Sequence, residues 1–203
     1  MTANSFRLPD SEALFAVAGL TACRLAAGGL SDLQAFFERN PDYFLAATGE
    51  PPASDEAAAE FETALPGDWP HSAQWLIGFY AADRSLTAMA TLVADLFAPG
   101  VWHLGLFIVE TGQHGRGVAR QLYAALEVWL RVQGARWVRL GVIAGNVRAE
   151  RFWERNGFIE VRRRVGVEMK ARTQTLRVMV KPLRGDSLRD YLASVARDRP
   201  DTP

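Results

Sequence analysis

Residues 101–120 constrain this chain more than any other stretch: Val-Trp-His-Leu-Gly-Leu-Phe-Ile-Val-Glu-Thr-Gly-Gln-His-Gly-Arg-Gly-Val-Ala-Arg. The first nine, rich in β-branched and aromatic side chains, read as a buried strand. A glycine-rich turn follows, and then a helical period. The first amides of a helix lack internal partners and, with the helix dipole, make a site for an anion. Gly115 and Gly117 remove side chains from the turn, Ala119 keeps the first helical turn slim, and Arg116 and Arg120 add positive charge. A phosphate or pyrophosphate suits such a cradle. On this segment alone, an ordinary strand-to-helix connection stands level with an anion site. The turn is no Gly-x-x-x-x-Gly-Lys-Ser/Thr loop, which disfavours a nucleoside triphosphate. It is no Gly-x-Gly-x-x-Gly either, and it lies deep in the chain, which disfavours a dinucleotide fold.

A length of 203 residues fits one domain, and 49% apolar residues supply a core. The lone cysteine, Cys23, excludes an internal disulfide framework and reads as a small buried residue. His71, His103 and His114 lack metal-ligand spacing, so no metal is expected. Leu86–Val109 is a long apolar run, but Asp95, Pro99 and Gly100 interrupt it. A charge at a bilayer centre costs about 3 kcal/mol, so two strands joined at 98–100 are expected rather than a membrane span. Met1–Asp10 shows no signal-peptide pattern, and a cytoplasmic protein is expected.

The periodicity predicts a strand at 20–26. A helix follows from a capping box at Ser31–Gln34, with Leu33, Phe36 and Phe37 inward, then a short helix at 42–47. A helix at 55–65 would turn Ala58, Phe61 and Leu65 to one face. Strands are expected at 74–80, 85–96 and 101–109. A long helix at 116–133 would bury Val118, Leu122, Ala125, Trp129 and Val132, and end at Gly134. A strand at 136–143, a helix at 146–155 capped by Asn146, strands at 158–167 and 174–181 and a last helix at 186–197 complete the chain. This order implies a mixed three-layer α/β domain. The last helix either caps its own domain or pairs with a second copy, which leaves a homodimer open.

Basic and acidic residues balance at 23 each, but not along the chain. Residues 1–110 hold four basic and fourteen acidic groups, a net of −10, and residues 111–203 carry a net of +10. The basic half suits a polyanionic ligand. Arg162-Arg163-Arg164 raises nucleic acid as a partner, but no stacking aromatics are interleaved there, and none is expected.

A second segment, Asn146-Val-Arg-Ala-Glu-Arg-Phe-Trp-Glu-Arg-Asn-Gly-Phe158, follows the next strand. With His114-Gly-Arg-Gly-Val-Ala119 it resembles the GCN5-related N-acetyltransferase (GNAT) superfamily. The first piece is similar to that family's Gln/Arg-x-x-Gly-x-Gly/Ala loop, the second to its Asn-x-x-Ala-x-x-Phe-Tyr-x-x-x-Gly-Phe helix. The resemblance spans about residues 20–181 and implies a central, mostly antiparallel, splayed sheet flanked by helices. It also implies acetyl-coenzyme A as cosubstrate and an amine, small-molecule or peptide, as acceptor. Phe107, Ile108 and Val109 would meet pantetheine and the acetyl carbonyl. Amides of Gly115, Arg116, Gly117, Val118, Ala119 and Arg120, beside His114, would hold the pyrophosphate. Asn146, Phe152 and Trp153 would flank the thiol end.

Trp153 stands where the family has a Tyr that protonates the departing thiolate. A positioned acid contributes about 10²–10⁴ in rate, so its loss slows transfer without forbidding it. A non-catalytic acyl-CoA-binding module is the alternative this departure raises. As the base that frees the amine's lone pair, His103 and Glu110 are candidates, each with a structural reading beside it. The resemblance puts the acceptor pocket at about 30–70 and 168–174, where Tyr43, Phe44 and Trp69 would line it. The acidic first half points to a cationic amine.

Overall fold

A computed structural model describes residues 12–62 and 64–200. The reading of Met1–Asp10 lies outside them. The strands are β1 (Glu12–Val17), β2 (Leu20–Arg24), β3 (Ala73–Tyr80), β4 (Leu86–Ala94), β5 (Val101–Val109), β6 (Trp137–Ile143), β7 (Ile159–Met169) and β8 (Arg172–Pro182). The helices are α1 (Leu30–Arg39), α2 (Pro41–Ala47), α3 (Glu56–Glu62), α4 (Val118–Val132), α5 (Val147–Arg155) and α6 (Leu188–Ser194). All eight strands form one sheet in the order β1-β2-β3-β4-β5-β6-β8-β7. Every neighbouring pair is antiparallel except β5 and β6, which α4 joins as a crossover.

Strand alternation sends side chains to two faces. Trp102 and Leu104 of β5 and Val138, Leu140 and Val142 of β6 meet Leu122, Leu126, Trp129 and Leu130 of α4, with Trp153 and Phe158 beyond. The opposite face carries two separate cores. Leu33, Phe36, Phe37, Phe44 and Ala57 of α1–α3 cover Leu76, Met89 and Ile108. Tyr191 and Val195 cover Val101, Trp137 and Val180. The result is the three-layer, mostly antiparallel arrangement expected, with a groove between the two cores of the second face.

Two irregularities shape β5. Between Ala90 and Leu92 its partner advances two residues while β5 advances three, from Phe107 to Leu104. Gly105 and Leu106 thus bulge opposite Thr91, and the Leu106 N–H donates to Thr91 Oγ1 at 2.8 Å. A Cβ on Gly105 would lie 2.8 Å from that same oxygen, so only glycine fits. On its other side, β5 pairs with β6 only through Val101–Leu104 against Trp137–Leu140. Beyond Leu104 and Leu140 the two strands part.

Several expectations need correction. β1 pairs with β2 as a hairpin, where the sequence predicts a single strand. The Ser31–Gln34 capping box does not form: α1 starts after Gly29 without a side-chain cap. Gln34 is used instead to tie α1 to α3, donating to Ala53 O at 2.8 Å and accepting from Ala57 N at 3.0 Å. That tie turns Ala57 inward and leaves Phe61 exposed. On α4, Val132 is exposed, because a buried stripe of Tyr123, Leu126 and Leu130 beside Leu122 and Trp129 faces the sheet. The last helix stops at Ser194, and Ala196–Asp198 winds on as a 3-10 turn.

That turn brings Asp198 into the molecule, fully buried. Its carboxylate accepts from Arg139 Nε at 2.7 Å, Arg139 Nη2 at 3.2 Å, Arg164 Nη2 at 3.2 Å and the Tyr191 hydroxyl at 2.6 Å. Burial pulls its pKa up, but the bonds and charge of Arg139, with Tyr191 and Arg164, outweigh burial and hold it down at about 2. A carboxylate depressed in the folded state stabilises above its unfolded pKa, and that contribution fades as pH falls through the folded value. The Asp198→Asn variant, which strands a buried guanidinium, is expected to lose about 3–5 kcal/mol at pH 7. Urea denaturation should show this gap to wild type narrowing as pH drops from about 4 toward 2.

Candidate active site

After Val109 the chain makes a 3-10 turn at Thr111–Gln113 and enters α4 through Gly115 (φ +77°) and Gly117 (φ +79°). A Cβ on either glycine would meet nothing within 4 Å, so their requirement is the left-handed backbone rather than space. Buried Asn40 pins the turn, its Oδ1 accepting from Thr111 N at 2.8 Å and Thr111 Oγ1 at 3.2 Å. His114 bridges two elements. Its Nε2–H donates to Val109 O at 2.8 Å, and its Nδ1 accepts from Arg148 Nη2 of α5 at 2.8 Å. In this pattern Nε2 is the donor and Nδ1 the acceptor. Among the described residues no side chain caps α4, so the amides of Val118, Ala119 and Arg120 point outward without helical partners.

The parted strands extend this anion site into a cleft. The Glu110 N–H donates to Thr87 O and the Leu106 N–H to Thr91 Oγ1, both toward β4. Alternation turns the N–H groups of Phe107 and Val109 the other way, to the open side facing β6. A cavity of about 1550 Å³ runs from the glycine turn along this cleft to the groove on the second face.

Most residues expected at the site line that cavity. Phe107, Ile108, Val109, His114, Gly115, Gly117, Ala119, Arg120, Asn146, Phe152 and Trp153 all do, as do His103, Tyr43 and Trp69. Arg116 is exposed, and Val118 packs on the core. Neither side chain lines the cavity, and their relevant groups are amides. Phe44 is buried against Phe37 and Tyr43, at centroid distances of 5.0 and 5.3 Å, and contributes no wall. Glu110 lies at the start of the 3-10 turn, outside the cavity lining. Asn146 accepts from Ala149 N at 3.2 Å and caps α5 as expected. Trp153 belongs to both core and wall, packed on Tyr123 at 5.2 Å and Phe158 at 5.1 Å. Of the four tyrosines, Tyr43 alone lines the cavity; Tyr80, Tyr123 and Tyr191 are buried in the cores.

His103 faces the groove with Nδ1 3.1 Å from the carbonyl of Arg139 and 3.3 Å from Arg139 Nη1. Burial, and next the Arg139 charge, push its pKa down to about 3. The neutral ring donates Nδ1–H to the carbonyl, which leaves Nε2 as the acceptor.

Sequence reasoning passed over Glu60. It stands one turn after buried Ala57, on the same face of α3. It lines a second cavity, of about 660 Å³, that shares His103 and Gly105 with the first. Burial raises its pKa above the ordinary carboxylate value, against a lowering hydrogen bond from Thr91. Its charge acts in turn on Tyr43, whose phenol is raised first by burial and then by Glu60. The signal is the helical spacing from Ala57, masked by the larger apolar Phe61 beside it. Among the described residues no group of three or more His, Cys, Asp or Glu is arranged to hold a metal, and no helix is long and apolar enough to cross a membrane.

A histidine held near pKa 3 stays neutral at physiological pH. Titration by NMR from pH 8 to 5 is expected to leave the ring signals of His103 unchanged, where a histidine of ordinary pKa would move.

The acetyltransferase (GNAT) family matches residues 34–158. Among solved structures, an acetyltransferase from Thermus thermophilus is 22% identical with a TM-score of 0.65, over 83% of this chain and 100% of that one. Spermidine N-acetyltransferase from Vibrio cholerae, in complex with CoA and spermine, is 20% identical with a TM-score of 0.62, over 81% and 96%. The ribosomal-protein-S18-alanine N-acetyltransferase from Escherichia coli is 18% identical with a TM-score of 0.59, over 83% and 96%. No curated protein gives a significant match. The family match covers more than half the chain and falls on both the glycine turn and the Asn146–Phe158 segment: the chain belongs to the acetyltransferase (GNAT) family of acyltransferases.

Proposed function

We propose that this protein transfers the acetyl group of acetyl-CoA to a primary amine by direct attack in a ternary complex. One observation carries the reading: two parallel strands part beside a helix N-terminus with free amides, so one cleft offers an anion site and inward-facing strand N–H groups. The residues present fit the donor. Amides at 115–120 suit its pyrophosphate, the Phe107–Val109 edge its amide-bearing arm, and Asn146, Phe152 and Trp153 its thiol end. Acetyl-CoA supplies an activated acyl group. The Phe107 N–H, turned to the open side of β5, is the donor assigned to the carbonyl oxygen as charge develops there.

The amine needs a base, and we assign it to Glu60. A half-buried carboxylate with a raised pKa, in the cavity that shares His103 and Gly105 with the large one, suits that task better than a histidine held near 3. Tyr43 keeps its proton and is assigned as donor toward the leaving group in place of the family's Tyr. Neither assignment involves Glu110, which lines neither of the two cavities.

Free thiol is the readout. Release from acetyl-CoA with a panel of primary amines supports transfer; tight acetyl-CoA binding with no thiol release across the panel supports the non-catalytic module. Glu60→Gln is expected to lower kcat/KM about 10²–10⁴-fold. It should also remove an acidic limb that, in wild type, lies above the ordinary carboxylate pKa of about 4.3. Gly117→Ala, which forces a side chain into left-handed backbone, is expected to cost about 1–2 kcal/mol of stability. It should raise KM for acetyl-CoA more than KM for the amine.

A further inference from the structure

The acceptor groove holds a charge imbalance. Three guanidiniums, from Arg139, Arg164 and Arg197, line it on the face away from α4. Two of them share one carboxylate, that of Asp198, which accepts from Arg139 and Arg164 and is itself fully buried. Arg197 has no carboxylate within ion-pair distance among the described residues. Its guanidinium packs instead against the edge-to-face pair of Trp69 and Phe97, 4.2 Å from the centroid of Trp69 and 4.3 Å from that of Phe97. The Nε atoms of Arg164 and Arg197 are both buried and, among the described residues, without a hydrogen-bond partner. Burial first, then the charges of Arg164 and Arg139, bear against the cation on Arg197, and Asp198 and Asp68 offset this only in part.

Buried guanidinium N–H groups left unpaired, with like charges beside them, are costly unless an anion meets them. Packing against that ring pair restricts Arg197 and leaves its planar fork, which suits bidentate recognition of an oxyanion. The donor's phosphates do not supply that anion, because the glycine turn and α4 lie on the opposite face of the sheet. Among the described residues, Asp42 is the one acidic side chain lining the large cavity. The charge of the groove is therefore opposite to that expected from the acidic first half. Most of the acidic residues of 30–70 are exposed, and Glu56 is paired with Lys170.

Resting on the acetyl-transfer reading, we infer that the acceptor is a small amine that also carries a carboxylate or phosphate, held by Arg197 and Arg164 while its nitrogen lies toward His103 and Gly105.

The test compares matched pairs: phenylalanine with phenethylamine, 4-aminobutyrate with butylamine, and phosphoethanolamine with ethanolamine. Thiol release from acetyl-CoA is expected to favour the acid-bearing member by at least about tenfold in kcat/KM in one or more pairs. The carboxylate and phosphate arms tell the two groups apart. In Arg197→Gln the preference should collapse toward unity, while acetyl-CoA binding by calorimetry and the melting temperature stay at wild-type values. A preference for the uncharged partners, or a preference that survives Arg197→Gln, overturns the inference. If no amine turns over, acetyl transfer to these acceptors fails as a reading. Calorimetric titration of the acid-bearing amines into the CoA-loaded protein then decides the arginine site: saturable binding lost in Arg197→Gln supports it, and no binding overturns it.

Discussion

Everything else in this molecule depends on the parting of β5 from β6 after four paired residues on each strand. A parallel pair that continued would consume the N–H groups of Phe107 and Val109 in a ladder. Because it stops, those groups line a cleft, and buried backbone donors do not go unpaired without cost. The bulge at Gly105 and Leu106 acts on the same strand from the other side. It feeds the Leu106 N–H to a threonine hydroxyl and so keeps β5 attached to β4 while its opposite edge stays free. The His114 bridge then joins the end of that edge to α5. The edge, the turn and the helix N-terminus thus form one continuous surface of donors.

The second consequence is separation. α4 and α5 cover one face, and α1–α3 and α6 cover the other as two cores with a groove between them. The cavity connects the two through the gap in the sheet. A donor held at the glycine turn and an acceptor held in the groove would approach from opposite sides. The Arg139–Asp198–Tyr191 cluster anchors the α6 end of the groove, and it sets the charge of the wall that an acceptor meets.

Much of this was legible in the sequence. The strand–turn–helix at 101–120 and the Asn146 cap followed from local rules, because glycine in left-handed backbone and Asn at a helix start are decided by neighbours in sequence. The resemblance to the family added order and donor. Readings that failed or fell short needed tertiary partners. Gln34 looked like a capping residue but serves α3. Val132 fits a helical period, yet the sheet meets the neighbouring stripe. Arg139, Arg164 and Asp198 lie far apart in sequence and meet only because β6, β7 and the 3-10 turn after α6 converge. Net charge by halves could not foresee this, since it counts exposed and buried groups alike.

Hydrogen exchange with and without acetyl-CoA tests the central claim most directly, because it reports on the backbone N–H groups assigned to the donor. Protection on binding is expected at Phe107 and Val109 and across residues 115–120, with little change at the opposite sheet edge of β1. Binding that leaves those amides exchanging at their free rates, or that protects a different surface, would contradict it.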